Sequence, residues 1–205
     1  MTKPPSSSSI VKHVKALRNA RLAYFFFDFR DENKQSCNSL LRSLLFRLST
    51  QSHHLSDILA HLHSVYEDGK RQPSDVTFTR CLKKMLSHPS QDPIYLIIDG
   101  VDQCPDSSGS RPPAREQVLK LIDDLVGLRL SNVHICVSSR PEIGKRTVSK
   151  DSAMLSVSLH EQSGHREDIG DCIKSMVYSD PKMGSLSEKE KRRVVETVTK
   201  KSHGV

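Results

Sequence analysis

"IYLIIDG", residues 94–100, is the stretch on which the reading of the fold turns. Five apolar residues, Ile94 to Ile98, run without a polar break into Asp99, and Gly100 then ends the run. Pro93 opens it. A short apolar run bounded by turn residues reads as a strand buried on both faces, the kind that parallel sheets contain. "RLAYFFFDFRD" (21–31) and "VHICVSS" (133–139) read the same way, the latter stopped by Pro141, which has no ladder donor. "AMLSVSLH" (153–160) is a weaker strand.

Helical spacing fills the intervals. "IVKHVKAL" (10–17) sets Ile10, Val14 and Leu17 on one face behind the N-cap candidates Ser6 to Ser9. Residues 33–49 gather Leu40, Leu41, Leu44, Leu45 and Leu48, and a further helix is predicted from about Leu55 to Glu67. Another follows Ser74 or Asp75 as its cap, and one runs from Ala114 to about Leu128. The last third reads as two helices, one around 165–178 and one from Glu188 to about Lys200. Strands separated by helices of this length predict an α/β fold, a parallel sheet with helices on both faces. The expected division is an α/β domain over residues 1–160 and a helical segment over 161–205.

Composition narrows the function. The 205 residues carry 31 Lys plus Arg against 24 Asp plus Glu, a net charge of +7 spread over helical faces rather than gathered into a binding stripe. Aromatic residues make up 5% and tryptophan is absent, which argues against a stacking platform for single strands. The basic tail "EKEKRRVVETVTKK" alternates with glutamate and lacks a nucleic-acid recognition pattern, so no specific nucleic-acid partner is expected. Cys37, Cys81, Cys104, Cys136 and Cys172 are widely spaced, which suggests reduced thiols, with Cys81 and Cys136 in the core. The histidines of 53–63 fall on different helical sides, which favours a solvated set over a metal site. With no signal peptide and no membrane-length run, a cytoplasmic chain is expected.

In open α/β sheets, ligands bind beyond the C-terminal strand ends. Asp99 and Arg140 both fall there. A carboxylate fixed by a buried strand suits a magnesium ion, and Gly100 lets the chain leave the sheet close to a ligand. Asp102 can act from the outer shell of that ion or orient water. Arg140 can neutralise charge on a terminal phosphate, with Ser138 and Ser139 donating beside it.

These blocks, "AYFFFDFRDENKQSCNSLLRSLLFRLS", "IYLIIDGVDQCP", "VHICVSSRPE" and "VSLHEQSGHREDIGDCIKSMVYSD", together resemble the NACHT domains of fungal NOD-like, STAND-type NTPases, also described as nephrocystin-like N-terminal domains. The resemblance extends from about Ser6 onward. It implies a P-loop NTPase-like sheet and a switch in which ATP and magnesium control association of a longer receptor with itself or with NOD-like relatives. By position, Asp99 matches the Walker B metal aspartate, Asp102 the following acidic position, and Arg140 the sensor arginine. Gln103 stands where the family usually has glutamate. An amide cannot take a proton from water, so either hydrolysis is slow or another group handles the water. Near the start, Lys3 falls near the family's phosphate-loop lysine, while Thr2 replaces its glycine and Pro4 its metal-binding hydroxyl. The first, phosphate-loop strand, which in that family lies beside the Arg140 strand, is expected to be missing. The expectation is a fragment or degenerate relative, inactive alone as an ATPase; a non-enzymatic interaction module is the alternative.

Overall fold

The computed structural model describes residues 7–66, 70–89, 92–106, 112–140, 163–180, 183 and 186–201. The chain divides into two compact units, residues 6–153 and residues 154–205 with 1–5.

The first unit is an α/β fold, as its run of buried strands and periodic helices requires. Its elements follow in the order α1 (Ser7–Lys15), β1 (Arg21–Phe26), α2 (Cys37–Ser49), α3 (His53–Val65), α4 (Asp75–Leu86), β2 (Ile94–Asp99), α5 (Ala114–Val126) and β3 (Val133–Val137). The three strands form a parallel sheet in the order β1-β2-β3. Residues 141–162, which contain Pro141 and the weaker predicted strand, lie outside the described residues.

Strand period sorts the side chains between two layers. Ala23 and Phe25 of β1, Ile94, Leu96 and Ile98 of β2, and Ile135 and Val137 of β3 face the larger core. Against them pack the leucines of α2 (Leu40, Leu41, Leu44, Leu45 and Leu48, each at most 1% exposed), together with α4 and α5. Leu22, Ile97 and half-buried Tyr24, Phe26 and Cys136 face the other way, where Val11 and Val14 of α1 cover them.

Two sequence expectations shift at this level. The buried face of α1 is Val11 and Val14 with Ile10 beside them; the helix ends at Lys15, so Leu17 lies past it and is 40% exposed. Cys136 is half-buried rather than a core thiol, because it sits on the more thinly covered sheet face. Elsewhere capping sets the boundaries. Ser36 accepts from the Ser39 amide and starts α2, which leaves residues 32–34 in a short 3-10 turn, and Ser74 rather than Asp75 caps α4.

At the outer edge of β1 a side chain does the work of a strand. Gln51 Oε1 accepts from the Leu22 amide at 2.8 Å, and its Nε2 donates to the Leu22 carbonyl at 2.8 Å. Both outward backbone groups of that residue are thereby satisfied.

In the second unit α6 (Ser163–Ser179) packs on α7 (Glu188–Lys201). Ser187 and Glu190 form a reciprocal capping box: the Glu190 carboxylate accepts from the Ser187 amide at 2.8 Å, and the Ser187 hydroxyl accepts from the Glu190 amide at 3.4 Å. The Ser187 contacts hold the Glu190 carboxyl below its usual value. Among the described residues no helix is long and apolar enough to cross a membrane.

The two kinds of support separate by magnitude. Leu96→Ala removes a fully buried side chain and lowers unfolding free energy by about 2–5 kcal/mol. Gln51→Leu strands two edge groups that water partly reaches, and costs about 1 kcal/mol. Urea denaturation of the two variants beside the parent chain measures both; equal losses contradict the assignment.

Candidate functional site

Because the three strands are parallel and in register, their C-terminal ends meet at one edge. Asp99 pairs with Phe26 across the ladder, and Ile98 with Val137, so Ser138 emerges beside Asp99. The Ser138 hydroxyl donates to Asp99 Oδ1 and accepts from the Gly100 amide at 3.0 Å. The backbone continues the join: the Ser138 amide donates to the Ile98 carbonyl at 2.9 Å, and the Val101 amide to the Ser138 carbonyl at 3.1 Å.

A second hydroxyl reaches the same carboxylate oxygen from α1. Ser7 Oγ donates to Asp99 Oδ1 at 2.6 Å, across 92 residues of sequence. The family resemblance placed a metal-binding hydroxyl at Pro4, which lies outside the described residues; the hydroxyl found on Asp99 belongs to the first turn of α1, at Ser7.

Gly100 then turns the chain. Its φ of +70° is left-handed, a region that a side chain strains. The turn runs into a single 3-10 turn, Val101–Gln103, closed by the Gln103 amide donating to the Gly100 carbonyl at 2.8 Å. The Gln103 side chain folds back over its own turn: a Cβ built on Gly100 would lie 3.0 Å from Gln103 Nε2.

Asp102, whose side chain is 16% exposed, faces Arg140. Its Oδ2 lies 3.2 Å from Arg140 Nε, and its Oδ1 accepts from the Arg140 amide at 3.3 Å. The two strand ends singled out in the sequence are therefore brought together, and Arg140 rests on Asp102 with its side chain 65% exposed. Ser139 is exposed, and its hydroxyl donates to the Arg140 carbonyl at 3.3 Å.

Arg115 is a tie of this edge that the sequence reading passed over. From the first turn of α5 its guanidinium donates to the carbonyls of Asp102 and Cys104, each at 3.0 Å, and pairs with Asp106 at 3.0 Å. That fork fixes the loop carrying Asp102. The signal in the sequence was an arginine at a helix start just after a turn-rich loop, which spacing alone does not connect to the loop.

Beneath the loop the thiols are held protonated. Cys104 is fully buried and its Sγ donates to the Gln35 carbonyl at 3.2 Å; burial pushes its pKa up to about 11. Burial, with Asp75 adding to it, pushes Cys37 up to about 12. The loop after β1 closes the same edge. Asp28 accepts from both the backbone and the guanidinium of Arg30, which holds its carboxyl below the usual value, and Gln35 Nε2 donates to the Phe29 carbonyl at 2.7 Å.

The family model described as nephrocystin 3, N-terminal, matches residues 3–140, more than half of the chain and all the residues of this edge. No curated protein and no solved structure matches the chain.

Gly100→Ala meets both a left-handed backbone and the Gln103 amide, and lowers stability by about 1–2 kcal/mol. Adding Gln103→Ala recovers only the steric part, as urea midpoints will read. The thiols give a second expectation. The unfolded chain ionises Cys37 and Cys104 near the ordinary value of 9.0, whereas the folded chain keeps their protons to about 12 and about 11. Above pH 9 the unfolded state therefore binds fewer protons, and stability falls as pH rises through that window. The fall between about pH 8 and about pH 11 becomes shallower in Cys37→Ala/Cys104→Ala; an identical slope contradicts it.

Proposed function

The chain belongs to the nephrocystin 3 N-terminal family, and on that premise we propose that its α/β unit is the nucleotide-binding switch of a cytoplasmic, signal-transducing NTPase of the NACHT type. The observation that carries the reading is the meeting of Asp99, Ser7, Ser138, Asp102 and Arg140 at the C-terminal edge of a parallel sheet. Ligands of such sheets bind at that edge.

A magnesium ion suits the residues present. Asp99 Oδ1 takes two hydroxyl donors, while Oδ2 has no hydrogen-bond donor among the described residues. A hard cation favours this set of carboxylate and hydroxyl oxygens. Asp99 would hold the ion, with Ser7 and Ser138 turning their lone pairs toward it and Asp102 in its outer shell. Bound there, magnesium supplies charge neutralisation on the phosphates of ATP. A cradle of glycine-rich amides for those phosphates is not supplied by the described residues; residues 1–6 lie outside them.

Arg140 is the phosphate sensor in this reading, with the Ser139 hydroxyl beside it. Its guanidinium is mostly exposed while resting on Asp102, so transfer to a phosphate exchanges one anion for another at small cost in solvation. Gln103 at the water-orienting position favours a nucleotide that is held rather than hydrolysed quickly. Nucleotide exchange then sets the association of the receptor with copies of itself or with NOD-like relatives.

Calorimetric titration of magnesium–ATP into the full gene product tests this. Asp99→Ala and Arg140→Ala each weaken binding by about tenfold or more, since each removes a charge-assisted contact. Unchanged affinity and turnover in both variants, or no binding by the parent protein, overturns the proposal.

A further inference from the structure

Away from the strand ends, the helical layer contains a second concave feature. A cavity of ≈ 280 Å³ opens between α2, α3 and α4. Its floor is Leu45 and Phe78, 1% and 7% exposed, and its walls include Leu59 and Leu62 of α3. Phe46 forms one lip, and although it is the largest side chain of α2 it is 65% exposed. The apolar floor and the exposed aromatic ring form one connected apolar surface, of the kind that contacts use.

The walls are fixed before anything binds. Tyr66, on the rim, bonds through its hydroxyl to Thr77 Oγ1 at 3.1 Å, and Thr77 is tied to the α4 cap through Ser74. The α2 and α3 faces present their lining residues at helical spacing, Arg42 with Leu45 and Phe46, and Leu59 with Leu62 and His63. Preformed walls lower the ordering cost of binding.

Charge chooses the occupant. Among the described residues no carboxylate lines the cavity, and its polar rim is Arg42, His63, Arg71, Gln72 and Tyr66. Arg42 is exposed and makes no hydrogen bond or ion pair with the described residues. One turn along α2 from Phe46, it stands where a carboxylate flanking a buried anchor would arrive. The volume is enough for one or two large apolar side chains and falls near the lower end of small-molecule pockets.

We propose that this cavity is a docking site for an acidic peptide segment of a partner protein, one that inserts a leucine- or phenylalanine-type anchor between Phe46 and Leu59 and sets a neighbouring carboxylate on Arg42. The mode is that of an apolar side chain in a helical groove with a charged residue fixing register. None of its lining residues belongs to the Asp99–Arg140 edge, so the site stands whether or not that edge binds nucleotide.

Selection of a random phage-displayed peptide library on the full chain tests the proposal. The enriched peptides share a large apolar residue next to aspartate or glutamate. Synthetic copies bind about tenfold more weakly to Phe46→Asp and to Arg42→Glu, and exchanging the peptide's acidic residue for lysine has the same effect. Both substitutions lie at exposed positions, and unchanged thermal unfolding separates lost docking from lost fold. Enriched peptides without acidic bias, equal binding by both variants, or no enrichment while dodecanoate binds at Phe46 overturns it; the last result assigns the cavity to a free apolar acid. No enrichment and no dodecanoate binding overturns it as well.

Discussion

The parallel register of β2 between β1 and β3 is the constraint on which everything else depends. Parallel pairing sends every strand end to the same side, so Asp99, Ser138 and Arg140 converge although Arg140 lies 38 residues beyond Asp102. Were β3 to slip by one residue, Ser138 would change face and Asp99 would lose one of its two hydroxyl donors. The apolar burial on both sides prevents that. Ile135 and Val137 of β3 face the α2 layer and Cys136 faces α1, and a slip would exchange them.

The edge so formed is tied down from several sources. Ser7 comes from a helix at the other end of the unit's sequence, Ser138 from the neighbouring strand, and Arg115 from the helix that follows the loop. Each contact is local in space and distant in sequence. The carboxylate of Asp99 is held by hydroxyls, which can reverse from donor to acceptor by rotation, whereas Asp102 is held by a charge. The two acids therefore differ in how readily they exchange partners.

Much of this was legible in the sequence. Unbroken apolar runs gave the strands, the leucine period gave α2, and the Asp at the end of "IYLIID" gave the edge residue, because each signal is local. Two kinds of feature were not legible. Helix ends depend on which hydroxyl accepts an amide, so Ser36 moved the start of α2, which periodicity leaves open, and the end of α1 left Leu17 outside its face. Pairings such as Ser7 with Asp99, or Arg115 with the Asp102 carbonyl, need the tertiary arrangement, since serine and arginine have no spacing that betrays a partner. The cavity under Phe46 was hidden for a related reason: three helices define it, and each reads singly as an ordinary amphipathic helix.

Gln51 has a consequence for how copies of this molecule behave in a crowded cell. A bare strand edge is a template on which a second chain can add its own strand, the first step toward fibrous assembly. Aromatic β1 would be a good seed for that growth. With the Gln51 amide already occupying both outward groups of Leu22, an incoming strand must first expel it before a ladder can start at that end. One glutamine after α2 thus acts as a gatekeeper against self-templating.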